Sequence, residues 1–264
     1  MKRVLLFLVI GGLATIAFGQ GKEIRQVSEF TGINASGVFE ITVAKGSAES
    51  LTIEAEAEVL PYIRSEVRNG VLNLYLDNNR LRNIKSLKAI VVMRNLESVS
   101  LSGVCKLKAN DLFTPDKFDI KCSGVSNVDV NINTKNLYIE SSGASKIWIK
   151  ANVSGSCNIE TSGNSKIFGD FKAENVDFSS SGASSIELKG SANDFKIDVS
   201  GVSKVLAGDF IVKTSNVTSS GASKITVNVT NLLKVNSSGT SSVDYKGSPT
   251  LELNKSKISK VRNI

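Results

Sequence analysis

The chain has 264 residues, with 32 Lys and Arg against 25 Asp and Glu, a net charge of +7, and no His. The lack of His removes the commonest general base and a common metal ligand, and the evenly spread cationic excess lacks the basic run that marks a nucleic-acid tract. Three Pro and 21 Gly in a chain rich in Ser, Asn, Val and Ile point to strands and turns rather than helices.

The N-terminus reads as a secretory signal peptide over residues 1–19. Met1-Lys2-Arg3 is a short positive region, Val4 to Phe18 is apolar or small, and Ala17 and Gly19 stand at the positions a signal peptidase selects before Gln20. The apolar stretch is short for a membrane span. No Cys follows it to take a lipid, and no second apolar run of membrane length appears. Cleavage would remove Lys2 and Arg3 and lower the net charge from +7 to +5. The expected location is therefore outside the cytoplasm: periplasm, outer surface or medium.

Residues 20–29 are polar and irregular and predict a flexible lead-in. Residues 30–100 predict an N-terminal β lobe, opening on a divergent first coil at Ser36-Gly37. Alternation marks strands at 51–55, 71–76 and 89–93. Arg68-Asn69-Gly70 predicts a hairpin between 63–67 and 71–76. Glu56 to Ile63 predicts a short helical turn stopped by Pro61, and Asp77 to Leu87 a solvated loop.

From residue 101 to 264 a phrase S-G-x-S-x-(V/I/L) recurs, with Gly at 103, 124, 143, 163, 182, 201, 221 and 239. A ninth copy, Ser256 to Val261, has Lys257 in place of Gly. Counted from the Gly, position −4 is apolar (Val99 through Leu253) and so is +4 (Leu107 through Val261), while +2 is Cys105 and then Ser throughout. Even offsets are apolar or small and odd offsets mostly polar, which is the period of a strand. A repeat of about twenty residues with matched columns means coils stacked on coils. The predicted fold is all-β: a parallel, right-handed β-helix or solenoid, with the N-terminal lobe as a cap. Each coil is expected to hold three short strands, and about nine coils at ~4.8 Å per rung give a rod of roughly 40 Å. A β-propeller or an antiparallel sandwich competes, but a propeller blade takes about 40 residues.

The columns sort the candidate functional residues. The inward Ser at +2 predict a hydroxyl ladder, each O–H pairing with the next coil. Position +3 faces outward and carries Lys106, Lys146, Lys166, Lys204, Lys224 and Lys260, interrupted by Asn127, Ser185 and Ser242. That basic stripe is either a solvated face or a dock for an anionic glycan or lipid head group. Position +5 sets Trp148 beside Phe168 on adjacent coils, a candidate sugar or partner patch if exposed. The candidate binding patch is thus Trp148, Phe168, Lys146, Lys166, Lys204 and Lys224. Cys105, Cys122 and Cys157 are odd in number, fall at inward positions and match no zinc or redox spacing. Acidic residues are dispersed, without the clustered pair a polysaccharide lyase or hydrolase needs. No catalytic residue, metal or cofactor is expected.

These residues together resemble the head GIN domain family of auto-transporter adhesins, common in Bacteroidetes-type bacteria. The likeness rests on the secretory start, the Phe30-Thr31-Gly32-Ile33-Asn34 opening with Ser36-Gly37, the β-rich first lobe and the S-G-x-S-x-V series. Tyr245-Lys246-Gly247-Ser248-Pro249 before the last coil fits it too, so the likeness spans residues 28–262. It implies a β-helix-like extracytoplasmic protein and supplies no catalytic residues. The combined expectation is a non-enzymatic envelope or surface protein, an adhesin that binds a glycan or surface protein through an exposed solenoid face. A polysaccharide-acting β-helix enzyme and an architectural envelope subunit that self-associates through its end coils are the alternatives. Neither nucleic acid nor, after signal cleavage, an integral membrane segment is expected.

Overall fold

The structure is a computed structural model that describes residues 20–77, 84 and 87–264. The signal-peptide reading of 1–19 and most of the Asp77–Leu87 loop lie outside the described residues. Among the described residues, no helix is long and apolar enough to cross a membrane.

The repeat folds as a parallel β-solenoid of about nine turns. Its strands are β8 (Ser98–Gly103), β9 (Lys106–Phe113), β10 (Lys117–Cys122), β11 (Asn127–Thr134), β12 (Asn136–Ser141), β13 (Lys146–Gly163), β14 (Lys166–Gly182), β15 (Ser185–Gly201), β16 (Lys204–Ser219), β17 (Lys224–Ser237), β18 (Ser242–Lys246), β19 (Thr250–Lys255) and β20 (Lys260–Asn263). Pairing follows the sequence columns. Ile139, Ile159, Phe178 and Ile197 stack at −4, and Ile147, Ile167, Ile186 and Val205 at +4, each in register with the next. All eight are buried, and burial of each such side chain contributes about 1.5–3 kcal/mol.

The alternation within a coil breaks at one or two places. In β13 it is unbroken from Lys146 to Val153, pauses at residues 154–156 and resumes at Cys157. In β16 it breaks after Ala207 and again after Val212, which gives the three short runs expected. Buried phenylalanines fill the space behind the second corner, where Phe195 and Phe210 meet edge to face at 5.5 Å and 82°.

The Gly column makes the first corner. Gly143 has φ +78°, and a Cβ there would lie 2.6 Å from the carbonyl oxygen of Gly124 one coil below. The same carbonyl accepts the amide of Ala144 at 2.8 Å. Glycine is thus required twice, by dihedral and by close approach.

The serine columns behave differently from the expected ladder. The +2 hydroxyls turn back to their own corner: Ser126 Oγ–H donates to Ser123 O at 3.0 Å and Ser145 Oγ–H to Ser142 O at 3.3 Å. Cys105 occupies the same place, with Sγ 3.3 Å from Ser102 O. Links between coils run diagonally from −2 to +2, as in Ser141 Oγ–H to Ser165 Oγ at 2.9 Å and between Ser180 and Ser203 at 2.9 Å, straight up the −2 column from Ser219 Oγ–H to Ser237 Oγ at 3.0 Å, and from a +2 hydroxyl to the Gly carbonyl of the coil below, as in Ser259 Oγ–H to Gly239 O at 3.1 Å. A hydroxyl three residues from a carbonyl across a tight corner reaches it before it reaches the next rung.

The N-terminal segment contributes β1 (Gln20–Arg25), β2 (Gly32–Gly37), β3 (Phe39–Lys45), β4 (Ser50–Glu56), β5 (Ile63–Arg68), β6 (Val71–Leu76) and β7 (Leu87–Met93). Strands β2 and β3 form the divergent first coil, with Gly37 opposite Gly103 and Ile41 opposite Leu107. Part of the expected flexible lead-in is a strand: β1 runs antiparallel to β4, with Gln20 opposite Glu56. The expected hairpin is β5–β6, turned by Asn69 at φ 50° and Gly70 at φ 73°, and a short 3-10 turn covers Leu60–Tyr62. Arg25 crosses this end, donating from Nη1 to Ile63 O at 2.7 Å and from Nη2 to Leu60 O at 3.2 Å.

Among the described residues β19 pairs with β17 alone and β20 with β18 alone. Leu253, in the inward −4 column, is 45% exposed, and no coil among the described residues lies above it.

Candidate functional site

The wall formed by positions +3 to +7 carries the candidate patch on rigid, fully paired strands. Trp148 of β13 faces Phe168 of β14 across one rung. Their rings lie nearly parallel, 11° apart, with centroids at 5.5 Å, and Trp148 is 40% exposed. Cross-strand aromatic pairs stabilise a sheet by about 0.2–1 kcal/mol. That does not account for leaving an indole in water.

The column continues with Asp129 before Trp148 and Glu187 after Phe168. Two shallow grooves flank the pair. One, of about 440 Å³, lies toward Lys106, Lys108, Asn127 and Asp129; the other, of about 420 Å³, lies toward Lys150, Asp170, Glu187 and Lys189. Trp148 lines both.

Lys146 stands opposite Lys166, and Lys204 opposite Lys224, as one outward stripe. None of these four has a carboxylate partner within the 4.0 Å ion-pair limit among the described residues. Ser185 separates the two pairs, so Lys204 and Lys224 stand beyond the aromatic stack. The cations that line the grooves are Lys106 of the same +3 stripe, Lys108, Lys150 and Lys189. Sequence reasoning passed over Lys108 at +5, and it missed Lys150 and Lys189 because it followed +3 and +5 alone. The +7 column, where Lys150, Asp170, Lys189 and Asp209 alternate in sign and pair in register, was the available signal.

Across the Gly corner, Glu140 faces Glu160 on adjacent rungs of the −3 column, a closer acidic pair than the sequence suggested. Both line a groove of about 360 Å³ with Asp198 and seven serines of neighbouring rungs. Lys121 holds Glu140 at 3.2 Å from its outer side. The Tyr138 phenol is held above its ordinary range, by burial first and then by Glu160 and Glu140. No group of three or more His, Cys, Asp or Glu that could hold a metal occurs among the described residues.

The three thiols are free and buried. Burial pushes Cys122 and Cys157 up to about 12, and raises Cys105 as well. Thiols held so far from ionisation are poor nucleophiles and metal ligands.

Fold and face together define a class: a β-solenoid that presents regular side-chain ladders on stiff walls. Within it, the chain belongs to the family described as "Putative auto-transporter adhesin, head GIN domain", whose model matches residues 29–157 and again 149–249. No curated protein matches the chain. Among solved structures it is similar to a putative adhesin of Parabacteroides merdae, with a TM-score of 0.71 and 16% identity over 93% of this chain and 96% of that one. A putative adhesin of Parabacteroides distasonis gives 0.72 and 18% over 94% and 98%. A protein of the same organism described as a putative lipid binding protein gives 0.66 and 17% over 93% and 96%. At these identities the structural likeness shows the fold alone.

Proposed function

We propose that this protein is a non-enzymatic, exported binding protein of the adhesin type, working in the periplasm, on the outer surface or in the medium. Its binding face is the wall that carries Trp148 and Phe168, and its ligand is a glycan or a surface protein displaying one. The observation that carries this reading is the half-exposed Trp148–Phe168 stack between two polar grooves. An indole surrounded by Asp, Asn and Lys offers an apolar surface to sugar C–H groups and hydrogen-bond partners to sugar hydroxyls. Lys146 and Lys166 flank the stack and would engage acidic substituents. Lys204 and Lys224 would extend the contact along the rod.

The test is binding to a glycan array and to isolated cell-wall polysaccharide. Trp148→Ala and Phe168→Ala are expected to weaken binding by about thirtyfold, the size of an aromatic hot spot. Unchanged binding by both variants would remove the site from this wall.

The enzymatic alternative would use Glu140 and Glu160, an acidic pair in register on adjacent rungs. Retaining glycosidases place their two carboxyl groups about 5 Å apart. Release of reducing ends from acidic polysaccharides, abolished by Glu160→Gln, would establish it; the absence of product leaves the binding reading in place.

A further inference from the structure

We propose that the Gly corner of the solenoid is an edge that docks on an anionic lipid bilayer, its apolar +1 residues entering the headgroup layer while the +3 lysines meet lipid phosphates. Position +1 is an odd offset and faces outward, where the alternation elsewhere places mostly polar residues. Yet eight of its ten occupants between Val38 and Ile258 are apolar, four Val, three Ala and one Ile, and only Asn164 and Thr240 are polar. Val104, Val125, Val202 and Ile258 are 54%, 55%, 66% and 65% exposed. Single exposed apolar residues are ordinary, but a column of them along one edge marks an interaction surface.

The column is regular and stiff. The +1 amides donate to the Gly carbonyl of the coil below, as from Val104 to Gly37 O at 2.7 Å, Val125 to Gly103 O at 2.7 Å and Val202 to Gly182 O at 2.8 Å. At ~4.8 Å per rung the edge from Val104 to Ile258 is roughly 40 Å long.

The occupant follows from charge and shape. Beside the edge, the +3 column carries Lys106, Lys146, Lys166, Lys204, Lys224 and Lys260. Toward the N-terminal end the same column alternates in sign: Lys22 opposes Glu54, Glu54 opposes Lys88, Lys88 opposes Glu40 and Glu40 opposes Lys106. Past Asn127 the alternation stops, and Lys146 meets Lys166 and Lys204 meets Lys224 on adjacent rungs. Like charges so placed repel. Lys204, Lys224 and Lys260 have no carboxylate within the 4.0 Å ion-pair limit among the described residues. A soluble polyanion would neutralise the lysines and leave the valines in water. An anionic bilayer answers both, since the apolar ridge enters the interface and the lysine stems carry their ammonium groups to the phosphates. A projecting straight edge also suits a flat surface, whereas the grooves beside Trp148 suit a ligand that enters them. None of Val104, Val125, Val202 and Ile258 lines those grooves. Across the corner the −3 column holds Glu140, Glu160 and Asp198, so the rod rests on its +3 side with these carboxylates turned away from the lipid.

Flotation of the full chain with vesicles tests this. Residues 1–19 are the same in every variant, so any contribution of theirs cancels. The expected result is binding to mixed phosphatidylcholine–phosphatidylglycerol vesicles, weakened by salt, with little binding to phosphatidylcholine alone. Val125→Ser with Val202→Ser is expected to weaken it about tenfold or more, and so is Lys204→Gln with Lys224→Gln. Ile211→Ser, at an apolar residue 51% exposed away from the Gly corner, is expected to change nothing. All five positions are outward-facing, and an unchanged circular dichroism spectrum checks that each variant folds. Absence of binding to the anionic vesicles, equal binding to neutral ones, or a loss with Ile211→Ser as large as with the Val pair would each overturn the proposal. So would binding that the Lys pair weakens and the Val pair does not, which would make the column a site for polyanions in general. Glycan binding through Trp148 is read separately and decides neither way.

Discussion

Replacing Gly143 by Ala separates the two demands that the corner makes on its glycine. The residue sits at φ +78°, where an L side chain costs about 1–2 kcal/mol. Its new Cβ would lie 2.6 Å from Gly124 O and 3.0 Å from Gly124 N, both backbone atoms that cannot swing aside. Overpacking of that kind costs about 1–3 kcal/mol. Loss of glycine's freedom in the unfolded chain returns about 0.4–1 kcal/mol. The net expectation is a destabilisation of about 2–4 kcal/mol. Gly70 supplies the control, since it has φ +73° but nothing within 4 Å of its would-be Cβ. Gly70→Ala should therefore cost only about 0.5–1.5 kcal/mol, the dihedral contribution less the same offset. Urea unfolding of both variants, followed by circular dichroism, measures the difference. Equal losses at the two positions would refute the claim that the neighbouring coil's backbone, and not φ alone, excludes a side chain.

Ile159→Ala, in the covered part of the −4 column, should cost about 2–5 kcal/mol in the same assay, whereas Leu253→Ala, at a side chain 45% exposed, should cost under about 1 kcal/mol. Ser141→Ala should cost about 0.5–1.5 kcal/mol by removing the hydrogen bond that Ser165, itself donating to Ser162 O, accepts from the neighbouring coil, and Ser141→Ala with Ser165→Ala should cost clearly less than the two single losses added. A thiol reagent at pH 8 should label none of Cys105, Cys122 and Cys157 in the folded protein and all three in denaturant. Their folded pKa values lie above the unfolded ones, so the protonated thiols favour the native state: stability should hold below about pH 9 and fall as pH rises toward 12, and a flat profile over that window would contradict the burial.

Period-two alternation made the stacked core legible from sequence, because it states which wall each residue faces and the repeat states which residues share a column. Asn69-Gly70 likewise announced the hairpin through its need for positive φ. Other features depend on geometry that alternation does not encode. Whether Ser145 bonds to Ser142 O or to the next coil is decided by the tightness of the corner. Where the alternation pauses within a coil, as at residues 154–156, no distinctive residue stands beyond Gly155. Strand β1 has no apolar alternation to announce it and is held by backbone pairing to β4. The aromatic pair was legible, yet its polar surroundings were not, because Lys150, Asp170 and Lys189 come from three coils and meet only once the rungs are aligned.

The Gly-on-Gly corner has a consequence for how such a protein changes over generations. Each corner glycine meets the equivalent glycine of the coil below, so the junction between any two coils is chemically the same junction. Excising or duplicating the segment between two equivalent glycines restores the junction it cuts, with the +4 and −4 columns still in register. Coils contact only their neighbours, so the rest of the core does not have to repack. Rod length can then vary by whole coils through gene duplication alone.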